Sequence, residues 1–326
     1  MKDELISVVV PAYNCGPWLA RCLDSLLNQT YPNLEIVVVN DGSTDNTGEI
    51  LEDYCSRYPQ IVAIYQENAG EYTTRLNGVD AAKGAWIGYV DSDDEVEPHM
   101  YEMLMKNACK YGADISHCGY QVVYPDGHVD YQHNTGMVKV QDTHTGLRDL
   151  LAEEIMEMSL CNKLFRRELF EGIRQWMDCS IVVNGDMLMN YYLFSRSKKA
   201  VLEDICPYHY LIRMGSVSRR KLNPRILFDP LLVRQMIVDR CEPVMETSAR
   251  RALARMCLVS YRRVVMEDRK EYARERAEVR AWVKKQLPYV SVLPKRNAML
   301  VCMISTVPWL FDFMYPVAAR LLHREE

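Results

Sequence analysis

The sequence predicts an α/β protein: a mostly parallel sheet flanked by helices, followed by a C-terminal helical extension. Two observations lead to this fold class. Before residue 95, short apolar runs rich in β-branched residues alternate four times with segments of helical periodicity. These runs are almost continuously apolar, as expected of parallel strands that are buried on both faces. From about Arg225 onward the sequence has helical character throughout.

Local signals define the elements of the first half. The predicted strands cover residues 6–10, 35–39, 61–65 and 86–90. The first helix begins near Pro17, a residue type that suits the first helical position. Ser43, Thr44 or Asp45 can cap the second helix. A third helix is predicted over residues 73–83.

After residue 94 the pattern becomes less regular. The predicted elements are a helix ending at Tyr111, a strand over 115–123, helices over 147–158 and 186–194, a polar loop over 207–218 with at most a short strand, and a charged amphipathic stretch over 248–286. The last segment, residues 298–322, is apolar, and we expect Pro308, Asp312 and Pro316 to break it.

The net charge of −5 hides an asymmetry along the chain. Residues 219–326 contain 22 Lys and Arg against 12 Asp and Glu, a net charge of +10. By subtraction, the first 218 residues carry 17 against 32, a net charge of −15. The acidic first part argues against nucleic acid as the main partner, whereas the basic second part suits an anionic lipid surface.

Cysteine usage and hydropathy indicate the compartment. The eleven cysteines are dispersed without a C-x-x-C pair, which is more typical of small buried hydrophobic residues than of disulfides or a zinc site. The sequence shows neither an apolar signal-peptide core near its start nor a run of about 18 apolar residues. We therefore expect a cytoplasmic location.

The acidic cluster Asp91-Ser92-Asp93-Asp94 follows the fourth predicted strand directly. At the end of a strand, residues two apart project to the same side, so Asp91 and Asp93 form a pair. Two adjacent carboxylates repel each other unless a cation lies between them, and Mg²⁺ or Mn²⁺ is the natural choice. The alternative is an acidic turn in solvent. A calcium loop is excluded, because Val96 stands where such a loop requires glycine.

Polar clusters follow three of the predicted strands, at residues 12–14, 40–42 and 91–93. The carboxyl ends of parallel strands meet at one edge of a sheet, where ligands bind in α/β proteins. The glycine patterns of dinucleotide-binding and P-loop proteins, G-x-G-x-x-G and G-x-x-x-x-G-K-[ST], are absent. The sequence therefore predicts a ligand site of another type.

Four motifs occur in order: S-V-V-V-P-A-Y-N at residues 7–14, V-N-D-G-S-T-D at 39–45, N-A-G at 68–70 and D-S-D-D at 91–94. This ordered set resembles glycosyltransferase family 2, inverting enzymes that use nucleotide sugars and have the GT-A fold. The resemblance is close over about residues 5–110 and weaker over 155–220. It implies a catalytic domain over 1–220 (nucleotide-sugar binding by 1–112, acceptor side in 113–220) and a helical region over 221–326.

The resemblance also implies roles for individual residues on the donor side. Asp41 would accept a hydrogen bond from a uracil ring. Asp91 would contact the ribose or the metal, and Asp93 would ligate the Mn²⁺ or Mg²⁺ that bridges the diphosphate. The further donor-binding candidates are Pro11, Ala12, Tyr13, Asn14, Arg75, Ser92, Arg213 and Ser216. Tyr13 could equally be a packing aromatic residue. Leu76 departs from the family pattern next to Arg75. The alternative interpretation is therefore that Arg75 is a solvated arginine without contact to the substrate.

Asp186 is the candidate catalytic base, since it lies where the family has a Glu-Asp pair at the start of a helix. Gly185 replaces the glutamate of that pair. The base would take the proton of the acceptor hydroxyl during one direct displacement, which inverts the anomeric centre. A helix cap is the alternative role for Asp186.

The resemblance thus implies transfer from a nucleotide sugar, with UDP preferred, to a saccharide or lipid-linked acceptor in cell-surface polysaccharide synthesis. The rival hypothesis is a non-catalytic nucleotide-sugar binding or scaffold protein of the same fold. The apolar residues 295–322 suit peripheral contact with the inner face of the cytoplasmic membrane. Packing of this segment on the protein or within a homo-oligomer is the other interpretation.

Overall fold

The computed structural model describes residues 4–178, 180–213 and 222–322. The described chain forms two compact units. The first comprises residues up to Val182 together with Met189–Arg220, and the second comprises Val183–Leu188 and the chain from Lys221 onward.

In the first part of the chain, strands and helices alternate. The elements are β1 (Ile6–Ala12), α1 (Gly16–Leu27), β2 (Leu34–Asp41), α2 (Thr47–Arg57), β3 (Ile61–Gln66), α3 (Glu71–Ala81), β4 (Trp86–Tyr89), β5 (Glu95–Val96) and α4 (Met100–Tyr111). The first four strands and three helices agree with the sequence-based prediction.

The middle of the chain completes the sheet. Its elements are β6 (Ile115–Val123), β7 (Val129–Tyr131), β8 (Val138–Asp142), α5 (Thr143–Ala152), β9 (Lys163–Arg166), α6 (Ile173–Trp176), α7 (Gly185–Arg196) and β10 (Lys199–Leu211). The predicted helix over 147–158 is displaced: Asp142 caps α5 by accepting a hydrogen bond from the Thr145 amide, and Glu153 ends it in a left-handed conformation.

One sheet contains all ten strands of the described residues, in the order β3-β2-β1-β4-β9-β6-β10-β5, with β7 paired to β6 and β8 to β10. Strands β1 to β4 are parallel to one another, as predicted. Strand β9 then runs antiparallel to both β4 and β6, and β6 is parallel to β10. The α/β class with C-terminal helices is confirmed, and antiparallel pairs enter only after β4.

The predicted loop over 207–218 is wrong in its first part. Strand β10 continues to Leu211, pairing with β6 over Ala200–Glu203 and again over Tyr208–Leu211, with a register shift between the two stretches. The full length of this strand was not predicted from the sequence, because its second half alternates aromatic with polar residues around Pro207. As a result, β10 ends at the same edge of the sheet as β1, β2 and β4.

The second unit is helical and has a core of its own. Its helices are α8 (Pro224–Arg240), α9 (Glu246–Val265), α10 (Ala273–Lys284), α11 (Lys295–Thr306) and α12 (Pro308–Leu322). Leu227, Cys257 and Val279 are fully buried in one apolar cluster. The amphipathic stretch over 248–286 is two helices rather than one, and α12 continues through Asp312 and Pro316, where we expected breaks.

Within the described part of the chain, no single helix is long and apolar enough to cross a membrane. Residues Lys295–Thr306 and Pro308–Val317 together reach the required length and composition, but the two helices are bent by 119° at their junction.

Two helical glycines provide a test of the packing of the first unit. A Cβ at Gly78 would lie 2.3 Å from Val9 Cγ1, because α3 packs closely on β1, whereas a Cβ at Gly48 would meet no atom closer than 3.6 Å. We expect Gly78→Ala to destabilise the protein by about 1–3 kcal/mol through overpacking. Thermal unfolding should show a lower midpoint for Gly78→Ala, with Gly48→Ala equal to wild type or higher. Equal midpoints for both variants would contradict the close approach of α3.

Candidate active site

A cavity of about 440 Å³ opens at the carboxyl edge of the sheet in the first unit. It is lined by Pro11, Ala12, Tyr13, Asp41, Asn68, Gly70, Glu71, Thr74, Asp91, Ser92, Asp93, Tyr210 and Arg213. Most of the predicted donor-side residues therefore meet at one place. Asn14 and Arg75 do not line this cavity, and Ser216 lies outside the described residues.

Asp41 organises one wall of the cavity from the end of β2. It is only 4% exposed. Its Oδ1 accepts hydrogen bonds from Gln66 Nε2 at 2.7 Å and from the Ala69 amide at 2.8 Å, and its Oδ2 accepts one from the Gly70 amide at 3.1 Å. A carboxylate oxygen has two lone pairs, so Oδ2 can accept a further bond from a ligand while holding this loop in place.

Asn14 connects two loops beside the cavity. Its backbone is left-handed, with φ of 47°, and its amide donates to Ser43 Oγ at 3.0 Å. Its side-chain Oδ1 accepts from the Thr44 amide at 2.8 Å. Asn14 therefore fixes the loop that carries Tyr13, whose ring is 54% exposed at the rim of the cavity.

Arg75 forms an ion pair with Asp91. The Arg75 side chain is only 1% exposed, and its Nη2 lies 2.8 Å from both Asp91 Oδ1 and Glu71 Oε1. The solvated arginine considered from the sequence is thus excluded. Leu76, the neighbouring departure from the family pattern, is a buried core residue.

Asp93 pairs with Arg213, which follows β10. The Arg213 guanidinium also lies over the Trp18 ring, 4.1 Å from its centroid. Burial raises the pKa of Asp93, the Asp91 charge raises it further, and the Arg213 charge lowers it. Each carboxylate of the pair thus has its own arginine, one fully buried and one at the rim.

Asp94 fixes the end of β10 to the acidic cluster. It accepts a hydrogen bond from Tyr208 Oη at 2.6 Å and another from the Leu211 amide at 3.0 Å. Burial raises its pKa well above the usual range, and the Asp91 and Asp93 charges act in the same direction. The sequence missed this role because Tyr208 lies 114 residues further along the chain.

Asp186 lies in the first turn of α7, in the part of that helix that belongs to the second unit. Its side chain is partly exposed. Two further polar residues, Lys163 and His209, have different environments. Lys163 is fully buried, and its Nζ donates to the carbonyls of Glu157 and Ser159, so it stabilises a loop. His209 faces Glu97, with Nε2 and Oε1 2.8 Å apart.

The family profile described as "Glycosyl transferase family 2" matches residues 7–174, more than half of the chain. The chain belongs to glycosyltransferase family 2. This confirms the resemblance on which the site was predicted.

Among the relatives of this glycosyltransferase, GlyA of Streptococcus pneumoniae is 37% identical over 226 residues, which cover 67% of this chain but only 32% of GlyA. The chondroitin synthase of Pasteurella multocida is 42% identical over 109 residues, covering 33% of this chain and 11% of the synthase. This chain therefore spans less than a third of either relative. These relatives include an enzyme of polysaccharide synthesis.

The solved structure of Staphylococcus aureus TarS residues 1–349 in complex with UDP-GlcNAc has the same fold. The TM-score is 0.68 at 19% sequence identity, and the alignment covers 96% of this chain and 88% of that one. At this identity the likeness concerns the fold alone.

Asp91 and Asp93 are the described carboxylates of this glycosyltransferase that could hold a metal ion at the cavity. Among the described residues, no group of three or more His, Cys, Asp and Glu side chains is placed to hold a metal. Mg²⁺-type ions in phosphate-binding sites need only one or two carboxylates, because phosphate oxygens and water complete the shell. Asp91 and Asp93, both opening into the cavity, match that smaller requirement.

The Tyr208–Asp94 hydrogen bond gives a pH-dependent prediction. Because this bond favours the charged form of Asp94, its loss in Tyr208→Phe raises the pKa of Asp94 further above the unfolded value. A raised folded pKa lowers stability progressively as pH increases. We expect a loss of about 1.5–3 kcal/mol at pH 8 and a smaller loss at pH 5. Thermal melts at both pH values measure this, with Tyr131→Phe, on exposed β7, as the control. An equal loss of stability at both pH values would contradict a hydrogen bond from Tyr208 to the charged form of Asp94.

Proposed function

We propose that this glycosyltransferase moves a sugar from a UDP sugar to a hydroxyl group of a saccharide or lipid-linked acceptor, with inversion. The observation that carries the proposal is that Asp41 and the Asp91–Asp93 pair open into one cavity. Its volume of about 440 Å³ is in the usual range for small-ligand sites. Asp41 is proposed to bind the base, and the Asp91–Asp93 pair the diphosphate, of a nucleotide in this cavity.

At the base end, Asp41 Oδ2 would accept the imide N–H of uracil, for which an ionised carboxylate is the right partner. The exposed ring of Tyr13 offers an apolar surface for the base, and Pro11 and Ala12 form the adjoining wall. Asn14 acts by holding this loop rather than by lining the cavity.

At the diphosphate end, Asp91 and Asp93 would hold Mn²⁺ or Mg²⁺, which offsets the charge that develops on the leaving diphosphate. Arg75 keeps Asp91 oriented, since both its carboxylate partners lie within 2.8 Å. Arg213 is near enough to Asp93 to pair with it and can turn to phosphate oxygens as a second cationic group. Ser92 lines the cavity between the two carboxylates.

Asp186 is proposed as the general base. It accepts the proton of the acceptor hydroxyl while that oxygen bonds to the anomeric carbon. The bond from this carbon to the diphosphate oxygen breaks at the same time, and UDP leaves with the electron pair. The location of Asp186 in the first turn of α7 also suits a carboxylate, because the helix N-terminus stabilises negative charge.

The test combines donor screening with matched variants. UDP sugars and a GDP sugar are compared for nucleotide release with Mn²⁺ and with EDTA. We expect release from at least one UDP sugar, suppressed by EDTA. Asp93→Asn should weaken Mn²⁺-dependent UDP binding at least tenfold, whereas Asp53→Asn, on the surface of α2, should not. Asp186→Asn should lower turnover about a hundredfold and leave UDP binding unchanged.

The outcomes separate the proposal from its rival. UDP binding by the wild-type protein without release from any sugar donor, with and without added acceptors, would identify a non-catalytic binding protein. Full turnover by Asp186→Asn would show that Asp186 is not the base, although the protein would still be an enzyme. Failure of every uridine nucleotide to bind would overturn the donor assignment.

We further propose that α11 and α12 bind an anionic membrane surface and bring the enzyme to a lipid-linked acceptor. Helix α12 exposes Trp309, Phe313 and Val317, which are 66%, 70% and 49% exposed and lie four residues apart on one face. Lys295 and Arg296, both exposed, begin α11. An apolar face beside basic residues is typical of helices that lie in the membrane interface.

Vesicle flotation tests the membrane contact. The full chain should float with vesicles containing anionic lipid and less with neutral vesicles or at high salt, since the basic residues contribute electrostatically. Trp309→Ser with Phe313→Ser should lower the bound fraction at least tenfold. Val244→Ser, which changes a residue 54% exposed outside α11 and α12, is the control. Equal flotation of all three proteins would reject this surface.

A further inference from the structure

The turn that precedes Asp186 has an unusual backbone. Asn184 is left-handed, with φ of 72°, a conformation that few residues other than glycine and asparagine adopt readily. Its carbonyl accepts a hydrogen bond from the Met187 amide at 3.2 Å, which closes the turn over Asp186. The direction in which α7 starts is therefore set at Asn184, two residues before the candidate base.

Helix α8 holds this turn through two side chains. Asp229 Oδ2 accepts a hydrogen bond from the Val183 amide at 3.1 Å. Arg234 Nη1 donates to Asn184 Oδ1 and, at 3.3 Å, to the Pro230 carbonyl of its own helix. The bond to Asp229 fixes the backbone just before the turn, and the bond from Arg234 fixes the left-handed residue Asn184.

Both holding residues are deeply buried. Asp229 is 3% exposed and Arg234 is fully buried, next to the apolar cluster that includes Leu227 and Leu231. Burying charged groups is costly, and well-packed apolar residues of similar size usually stabilise a core at least as well. Asp229 contacts the residue before this turn and Arg234 contacts its first residue, and two buried charged residues placed in this way indicate a demand for orientation at the turn.

We propose that Arg234 and Asp229 are positioning residues that orient Asp186 for catalysis. The inference rests on the proposed role of Asp186 as the base. General-base catalysis is sensitive to orientation, and a displacement of about 1 Å can cost a hundredfold in rate. The Arg234–Asn184 bond restricts the rotation of the turn that would produce such a displacement.

Asn184→Gly is the decisive variant. Glycine keeps the left-handed backbone at no steric cost and removes the side-chain acceptor of Arg234. Asn184→Asp keeps both the acceptor and tolerance of this conformation. Gln235→Ala is the matched control on α8, because Gln235 bonds to Asp239 on the helix surface. The assay is UDP release from the best UDP sugar of the screen, with water as acceptor, since under the proposed mechanism Asp186 takes the proton from water as it does from an acceptor hydroxyl.

We expect Asn184→Gly to lower kcat tenfold to a hundredfold, with unchanged KM for the donor and unchanged Mn²⁺-dependent UDP affinity. Its thermal midpoint should fall by a few degrees, because the buried Arg234 loses a hydrogen-bond acceptor, while the protein stays folded at the assay temperature. Asn184→Asp and Gln235→Ala should remain within threefold of wild type. In the Asp186→Asn background, Asn184→Gly should cause no further loss, because a positioning residue acts only through the base.

Two results would overturn this inference while leaving the proposed function intact. One is wild-type kcat for Asn184→Gly in a protein whose Asp186→Asn variant is slow. The other is a loss that adds fully to that of Asp186→Asn, which would show that Asn184 acts independently of the base. Absence of UDP release by the wild-type protein, both with and without added acceptors, would instead refute the proposed function itself.

Discussion

The crowding of carboxylates at one edge of the sheet is the constraint on which the site depends. Asp41, Asp91, Asp93 and Asp94 are all at that edge, and three of them follow one another within four residues. Like charges in a partly buried site repel strongly. Each carboxylate has its own partners. Asp91 and Asp93 pair with arginines, Asp94 accepts hydrogen bonds from a tyrosine and a backbone amide, and Asp41 accepts them from the donors of a loop.

The two arginines are not equivalent. Arg75 is completely buried and bridges Glu71 and Asp91 on fixed helical geometry, so its charge is a permanent part of the site. Arg213 is 31% exposed and stands just past the end of β10. Under the proposed mechanism, Asp93 is therefore the carboxylate whose partner can be exchanged for a metal ion, and Asp91 is the one whose orientation is fixed beforehand.

The sequence revealed those features that depend on local pattern. Strands β1 to β4 were predicted because each is a short apolar run, and the cavity was predicted because polar residues follow three of them. Strand β10 could not be predicted in the same way, since its pairing with β6 compensates for a polar, proline-containing stretch. The role of Asp94 likewise depends on Tyr208, a partner that only the folded chain brings near. Helix α12 continues through Pro316 although the residue type favours a break.

The two departures from the family pattern have structural explanations in this chain, which weakens the argument for a non-catalytic protein. Leu76 is a buried core residue, while the adjacent Arg75 still reaches Asp91. Gly185 is buried at the start of α7, next to Asn184, whose side chain is held by Arg234. In this chain a buried arginine from a neighbouring helix holds the turn before the candidate base. The substitution at 185 is therefore compatible with a catalytic Asp186.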